Sequence, residues 1–392
     1  MSRTTVTPVK RSSLLLLTLP LLLLNACGRD GSWEGRIEMV EGVAHVYNPE
    51  VPLWEEGYVP LAEKEVLGGM GGPREALLSS PVAVAENREG IRYVLDQGDQ
   101  RVLRFDGTGD YLGSFGRRGE GPGEFLSPAD LVVLEDGTVV VGDYDNRRVS
   151  FFDPEGTFLR SFRARAQVGQ VAKAGGSLLY LTNQPRGMMI MARIGEDEGE
   201  LALVLQYDLQ GAVTGRFGTP VESEGVLLPR WKNRVYIASR PDGDLLLNWM
   251  LDDRLQFFSS GGALLRVVHR PVAFEPREPT EETQGTPEGG MSFQFEFDIL
   301  AVGMAVSPDG EMMAVTTALD PTDFRPREEQ EEDPRPSRWA IDLFDGEGRW
   351  LARYPTGEEM PAAVLDWEAD GLYVINHQGD GTVRRFSVVQ PQ

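Results

Sequence analysis

Short apolar runs of four to six residues recur along the chain and are separated by residues that favour turns. The runs are rich in β-branched and aromatic side chains, which pack well on the pleated surface of a strand. Asp-Gly, Asp-Asn and Pro-Glu-Gly sequences lie between them, and these residue types suit the tight turns of hairpins. The clearest set of runs is residues 131–134, 138–141, 148–152 and 157–162. The pattern predicts antiparallel strands and no convincing amphipathic helix.

This unit of four runs repeats along the chain. Asp96 and Arg101 align without a gap with Asp143 and Arg148, at an offset of 47 residues. Six aromatic landmarks mark the units: Phe105, Phe152, Tyr207, Phe258, Phe344 and Phe386. One interval of 86 residues contains two polar insertions, and we interpret it as one enlarged unit rather than two. Four strands in every 40 to 50 residues, approximately, are typical of a propeller blade. The sequence therefore predicts an all-β fold, a six-bladed β-propeller, over residues 42–392.

The ring needs one more strand, because the sixth unit has only three predicted strands. Residues 42–48 have the same form as the other strands, with a glycine followed by alternating residues. We expect this N-terminal strand to complete the sixth blade. Such a closure joins the two ends of the chain and leaves only short, protected sheet edges.

The first residues are typical of an exported protein. Three basic residues precede an apolar run at 14–24. The run is too short to span a bilayer, which takes roughly 20 residues, and it is typical of a secretory signal peptide. The sequence Leu-Asn-Ala-Cys that ends at Cys27 resembles the lipobox of bacterial lipoproteins. The resemblance implies a cleaved signal peptide at 1–26 and a lipidated Cys27 with a tether at 27–41. An ordinary signal peptide with a chance cysteine is the alternative.

Lipidation would indicate where in the cell the protein lies, and the net charge indicates which classes of partner it can bind. Acyl chains on Cys27 would hold the protein in the bacterial cell envelope, at the outer membrane or the periplasmic face. The chain has 61 acidic and 38 basic residues and a net charge of −23. Such a surface repels phosphate backbones and anionic lipid headgroups. We therefore expect a monomer that contacts the membrane only through its anchor and binds no nucleic acid.

The linker between the first two units carries a family resemblance. Residues 116–125 read Gly-Arg-Arg-Gly-Glu-Gly-Pro-Gly-Glu-Phe, and Pro128 follows. This sequence is similar to the inter-blade linker of NHL-repeat propellers, in particular the bacterial six-bladed β-propeller lipoproteins. Members of that group include protein-binding scaffolds, and related propellers include lyases and metal-dependent lactonases. The resemblance thus implies the fold and leaves the function open.

Three long insertions are predicted to share one face of the ring, at 183–200, 271–298 and 319–337. Loops that grow on one face of a repeat fold often carry binding, and solvated decoration is the alternative. The acidic run at 328–333 makes calcium the alternative cofactor, and the methionines at 188–191 are a weaker candidate for Cu(I). Neither segment has a spaced ligand pattern, so we assign no cofactor.

The inner strands should line a central channel. Counting seven residues back from the first hairpin glycine of each unit gives Ala83, Asp130, Gly169, Tyr236, Gly303 and Val364. One carboxylate and no histidine make a poor metal shell, so we assign no metal site. Asp130 and Tyr236 are candidate ligand-binding residues at the channel mouth, together with Arg117 and Arg118 of the Gly-rich linker.

No catalytic set is recognisable in the sequence. His45 and His269 fall on predicted outer strands, far from the channel, and His377 takes the place of the repeated aspartate in its unit. No serine stands in a nucleophile elbow. The Asp…Arg pair occurs in two units, which favours a hairpin clamp over a catalytic role, because a catalytic residue need occur only once.

These features support three hypotheses about function. The leading one is a noncatalytic binding or scaffolding module whose insertion face meets an envelope protein, a peptide or a glycan. The runner-up is a hydrolase or lyase, lactonase-like or peptidylglycine-lyase-like, with a site at the channel mouth near Asp130 and Tyr236. A purely structural role in envelope assembly is the third.

Overall fold

The computed structural model describes residues 33–54, 60–69, 73–173, 175–176, 178–184, 202–285, 290–321, 339–356, 364–369, 371–376 and 381–391. Six antiparallel sheets in this part of the chain are the blades of a propeller. The innermost strand of each blade contacts the innermost strands of the blades before and after it, and the sixth contacts the first. The ring of six predicted from the repeat is therefore confirmed.

The strands are numbered in chain order, and three precede the first full blade: β1 (Arg36–Val40), β2 (Val43–Tyr47) and β3 (Leu61–Leu67). Blade one is β4 (Pro81–Glu86), β5 (Arg92–Asp96), β6 (Arg101–Phe105) and β7 (Tyr111–Phe115). Blade two is β8 (Pro128–Val133), β9 (Val139–Asp143), β10 (Arg148–Phe152) and β11 (Phe158–Arg163). Blade three is β12 (Gln167–Lys173), β13 (Leu178–Gln184), β14 (Val204–Asp208) and β15 (Val213–Phe217).

Blade four contains β16 (Val235–Ser239), β17 (Leu245–Trp249), β18 (Arg254–Phe258) and β19 (Leu264–His269). A separate hairpin follows, β20 (Thr280–Gly285) and β21 (Met291–Glu296). Blade five is β22 (Ala301–Val306), β23 (Met312–Ala318), β24 (Trp339–Asp345) and β25 (Trp350–Pro355). Blade six is β26 (Val364–Glu368), β27 (Gly371–Ile375), β28 (Val383–Val388) and β3. A five-residue helix, α1 (Leu228–Lys232), precedes blade four, and a 3-10 turn (Arg74–Ala76) precedes blade one. The long interval in the repeat is thus one blade with insertions, as predicted.

The strand that closes the ring is not the one expected from the sequence. A strand from the N-terminal side does complete blade six, but it is β3, which pairs antiparallel with β28. The segment 42–48 was the wrong choice. Charge supports the pairing of β3, because Glu65 lies opposite Arg385 and Glu63 pairs diagonally with Arg384, each at 3.1 Å. Opposite charges across a strand pair stabilise that pairing.

The segment expected to close the ring extends blade four instead. β2 lies parallel to β19, and β1 pairs antiparallel with β2, so blade four becomes a six-stranded sheet. Val46 of β2 is 1% exposed and belongs to the apolar cluster shared by blades four and five. We call residues 33–48 the N-terminal strap.

The core lies between the blades rather than in one central mass. β5, β9 and β17 are buried at every residue, because neighbouring blades cover both of their faces. Strands covered on two faces read as continuous apolar runs. Each apolar cluster joins adjacent blades, as with Leu95 of blade one and Val141 of blade two.

The repeated Asp…Arg pair is a structural clamp, as predicted. Asp96 accepts hydrogen bonds from the backbone N–H groups of Ser79 and Ser80, at 3.0 and 2.8 Å, in the segment that enters its own blade. Arg101 donates to the backbone carbonyls of Glu75 and Leu77 in the same segment. The pair therefore ties the second hairpin of the blade to the linker that precedes it.

The second blade repeats this clamp. Asp143 accepts from the backbone N–H groups of Leu126 and Ser127, at 2.9 and 3.1 Å. Arg148 donates to the carbonyls of Glu120 and Glu124. Both Asp96 and Asp143 are fully buried, so their charges are satisfied by these donors rather than by water.

Candidate functional site

A cavity of about 1050 Å³ occupies the centre of the ring. All six inner strands contribute to its wall, and the segments that enter the blades form one end of it. Cavities of a few hundred to a thousand cubic ångströms that combine aromatic and polar groups are typical ligand sites. Residues that line the cavity and matter here are Asp130, Asp366, Arg230, Arg234, Trp231 and Tyr236.

One rim of the cavity is built by two insertions that pack on each other. The carboxylate of Glu281, on β20, accepts hydrogen bonds from the backbone N–H groups of Val226, Leu227 and Leu228, at 2.6 to 2.9 Å. Partial burial acts to raise the pKa of Glu281, but these donors outweigh it and the pKa is lowered. The carboxylate thus satisfies backbone groups that the first turn of α1 leaves without partners.

Aromatic contacts complete this rim, which we call the mouth. The ring centroid of Trp231, on α1, lies 6.4 Å from that of Phe295 and 5.6 Å from that of Phe297, near the end of the hairpin insertion. Arg277 and Asp298 close the base of the hairpin with an ion pair of 2.6 Å. The described part of the insertion at 271–298 therefore packs against Trp231, which lines the cavity.

Two carboxylates from different blades lie on the cavity wall. Asp130 of β8 accepts from the backbone N–H of Val171, on β12, at 2.8 Å. Asp366 of β26 accepts from the backbone N–H of Val84, on β4, at 2.9 Å. Gln170 makes the same kind of link from β12 to Ile237 of β16, at 2.9 Å. These side chains join inner strands of neighbouring blades.

Burial perturbs both acids. The low-dielectric surroundings disfavour the charged form and raise the pKa of Asp130 to about 7, although two backbone N–H groups act in the opposite direction. Burial, and then the charge of Asp130, raise the pKa of Asp366 well above its ordinary value. A carboxylic acid in a cavity whose pKa is near 7 is a candidate proton donor or ligand-binding group.

The structure brings together only some of the residues singled out in the sequence. Asp130 and Tyr236 both line the cavity. Arg117 and Arg118 do not, because they lie in the linker between blades one and two. Arg117 pairs there with Glu124 at 2.7 Å and is 80% exposed. Gly116 of this linker has a φ of 86°, and a Cβ there would collide with the ring of Phe125. The linker glycines are thus explained by backbone packing.

Sequence reasoning missed Asp366 and Gln170. Glu368 and Gly371 of blade six pair directly across a short turn, so counting back from the glycine led to Val364 instead of Asp366. A register shift in β12, between Val168 and Val171, moves the equivalent position from Gly169 to Gln170. The expectation of one channel carboxylate was therefore wrong, because a fixed count of seven residues back from the hairpin glycine does not reach the equivalent position in these irregular hairpins.

Other candidate groups lie elsewhere. His45 and His269 lie on β2 and β19, and neither is among the residues that line the cavity. Among the residues that the structure describes, no group of three or more His, Cys, Asp or Glu is placed to hold a metal ion. No helix in the described ranges is long and apolar enough to cross a membrane. Cys27, His377, the acidic run at 328–333 and the methionines at 188–191 lie outside the described residues.

Comparisons with known proteins agree with the architecture. A family model described as a 6-bladed beta-propeller matches residues 74–180. The chain is a six-bladed β-propeller. No curated protein matches it in sequence.

Solved structures share the propeller fold with low identity. A member of the duf4221 family from Bacteroides vulgatus superimposes with a TM-score of 0.55 at 11% identity, covering 84% of this chain and 98% of that one. A Bacteroides fragilis protein described as exported gives 0.53 at 9% identity, covering 84% and 96%. A virginiamycin B lyase from Staphylococcus aureus gives only 0.45 at 10% identity, covering 79% and 81%. Likeness at these levels concerns the fold and carries no argument about chemistry.

Proposed function

We propose that this propeller is a noncatalytic binding module of the bacterial cell envelope. Its ligand is part of a protein, a peptide or a glycan that enters the mouth of the central cavity. The observation that carries the proposal is the packed mouth, where Glu281 fixes the start of α1 and Trp231 packs on the hairpin. An insertion that is only a solvated loop would not be expected to form this hydrogen-bonded carboxylate and these aromatic contacts.

The chemistry of the wall supports binding. Tyr236 and Trp231 offer flat apolar faces on which sugars or side chains stack. Asp130 and Asp366 already accept backbone hydrogen bonds that hold the ring together. Their first role is therefore structural, which favours binding over catalysis.

Display from a membrane is part of the same proposal. Lipidation of Cys27 would attach the chain upstream of the N-terminal strap, which begins at residue 33. The strap packs on blade four. An anchor at that point would hold the propeller at the envelope.

Capture from solubilised envelope fractions tests the proposal. The purified protein is compared with Tyr236→Ala and with a variant in which 280–296 is replaced by a short Gly-Ser link. Tyr111→Ala is the matched control, because Tyr111 is also half-buried but lies on the outer strand of blade one. We expect both mouth variants to lose the captured partner, and Tyr111→Ala to keep it.

The capture experiment has a clear contrary outcome. If both mouth variants keep the β-rich circular dichroism spectrum and still capture the same partner, the mouth is not the binding site. A melting temperature measured for every variant separates loss of binding from loss of folding.

One observation favours a second candidate, a hydrolase or lyase at the same site. A pKa of about 7 suits Asp130 to general acid–base catalysis at neutral pH. Turnover of envelope-derived peptides or glycans that disappears in Asp130→Asn, with binding retained, would favour this candidate.

A further inference from the structure

The mouth of the cavity contains two arginines whose side chains form no ion pair with any described residue. Arg230 and Arg234 belong to the segment that carries α1, and both line the cavity. No carboxylate of a described residue pairs with either of them. The only side-chain hydrogen bond of Arg230 within the described residues is a donation to the hydroxyl of Tyr144, at 3.2 Å.

Arg234 is held by aromatic rings rather than by an acid. Its guanidinium carbon lies 6.0 Å from the ring centroid of Trp231 and 5.9 Å from that of Tyr236. Contacts of this kind place the cation over aromatic faces and leave its N–H groups free to donate. Arg240, by contrast, also lines the cavity but donates to the carbonyls of Gly310 and Gly346.

In such an acidic chain, we would expect Arg230 and Arg234 to form ion pairs with described acidic residues, and they do not. The chain has 61 acidic and 38 basic residues, and arginines elsewhere pair readily. Arg277 binds Asp298 at 2.6 Å, and Arg353 binds Asp342 at 2.7 Å. Two cations at the entrance of the cavity create a local positive potential within a negative protein, which concentrates anionic ligands there.

We infer that Arg230 and Arg234 bind a carboxylate carried by the ligand of the central cavity. The inference rests on the proposed binding function and adds the chemical class of the ligand. A guanidinium binds a carboxylate through two parallel hydrogen bonds, and the flanking rings accept the flat or apolar group that carries it. The shared chemistry fits the C-terminal carboxylate of a peptide and the uronic acid of a glycan.

The rest of the cavity selects a single negative charge. Asp130, Asp366 and Glu368 also line the wall. Glu368 and the ionised fraction of the two aspartates, whose pKa values are raised, would repel a phosphate with nearly two charges about twice as strongly as a carboxylate, because Coulomb energy is proportional to charge. A monoanion therefore fits the mouth better than a phosphate.

Paired probes test the inference on the purified protein. One pair is a random hexapeptide pool with free C-terminal carboxylates and the same pool with C-terminal amides. The other is an oligouronate and its methyl ester, and a phosphorylated peptide pool tests the charge argument. The variants are Arg230→Gln, Arg234→Gln and Arg234→Lys, with Arg163→Gln as the control, an exposed arginine on the outer strand of blade two.

We expect the acid form of one pair to bind at least about tenfold more tightly than its neutral form, because a hydrogen bond to a charged group contributes about 1.5 to 3 kcal/mol. Arg234→Gln should weaken the acid form by about 10- to 100-fold and leave the neutral form unchanged. Arg234→Lys should recover part of the loss, because it keeps the charge but not the paired hydrogen bonds. Arg163→Gln should change nothing. The pair that responds identifies the source of the carboxylate.

Three results would overturn the inference. Equal binding of the acid and neutral forms, with both abolished by Tyr236→Ala, would show that the cavity binds ligands but not through a carboxylate. Tighter binding of the phosphorylated pool would assign the arginines to phosphate. No binding of any probe, with melting temperatures unchanged, would count against both the inference and the proposed function.

Discussion

At the scale of single residues, the buried aspartates of this chain fall into two groups with different surroundings. Asp96 and Asp143 are surrounded by backbone donors, and their place in the repeat was enough to predict a clamp. Asp130 and Asp366 lie on different blades, and the charge of Asp130 contributes to the raised pKa of Asp366, which no sequence spacing shows. Arg234 was also not predictable, because its importance lies in three-dimensional surroundings where the described residues supply aromatic rings but no acid.

The clamp predicts a local loss of stability. Asp143→Ala removes the acceptor of two partly buried N–H groups, and a buried donor left without a partner costs about 1 to 3 kcal/mol. We expect the free energy of unfolding to fall by about 2 to 5 kcal/mol, measured by urea denaturation. Glu222→Ala, at an exposed acid, should change it by less than about 0.5 kcal/mol. Equal effects of the two substitutions would contradict the clamp.

The cavity acids predict a pH dependence of stability. The pKa of Asp130 is raised to about 7 and that of Asp366 is raised as well, so the folded state binds more protons than the unfolded state above about pH 4. The free energy of unfolding should therefore decrease as the pH rises from 4 through 7.

Asp366→Asn keeps an acceptor for Val84 and removes one charge. We expect this variant to be more stable than the parent protein at pH 8 and to show a shallower pH profile, measured by urea denaturation at each pH. Glu222→Gln is the control. Profiles of the parent protein and Asp366→Asn that coincide from pH 4 to 8 would contradict a raised pKa of Asp366.

At the scale of elements, strands were predictable where both faces are covered by apolar neighbours. The predicted run at 148–152 has the bounds of β10, and the runs at 138–141 and 157–162 overlap β9 and β11 with ends that differ by one or two residues. The charged strand β3 was missed because its Glu63, Lys64 and Glu65 resemble a solvated loop until Arg384 and Arg385 are placed opposite. The position of β2 was missed for a different reason. Two sheet edges, those of blade four and blade six, were open to this strand, and its alternating sequence does not choose between them.

The N-terminal strap should respond to pH. His45 of β2 lies 3.2 Å from the ring nitrogen of His269 on β19, and the Tyr47 ring stacks on His269. Burial, then the charge of His269 and that of Arg254, lower the pKa of His45 below 6.5, and Glu38 opposes them. The other ring nitrogen of His269, Nδ1, lies 3.2 Å from a carboxylate oxygen of Asp253. The docked strap therefore disfavours a proton on His45, and docking should weaken as the pH falls below about 6.5.

Hydrogen exchange measures this directly. We expect amides of β2 to exchange faster at pH 5.5 than at pH 7.5, after correction for intrinsic rates, and His45→Gln to remove the difference. β7, an outer strand without histidine, serves as the internal control. Equal protection of β2 at both pH values in the parent protein would contradict this prediction.

At the scale of the whole molecule, the repeat determines a ring, and the insertions determine what the ring can bind. The period of 47 residues was enough to predict six blades. It could not predict the mouth, because α1 and the hairpin come from different linkers and meet only once the ring is closed. A strongly acidic molecule thus presents two arginines and two aromatic rings at the entrance to its cavity.

Site-specific photocrosslinking tests most directly whether the cavity is the binding site. Benzoylphenylalanine replaces Tyr236 in one sample and Tyr111 in another, and each is irradiated with the envelope fraction. If the cavity binds the ligand, a covalent adduct of one defined ligand forms at position 236 and none forms at position 111. Adducts at 111 alone, or in equal yield at both positions, would contradict a ligand site in the cavity.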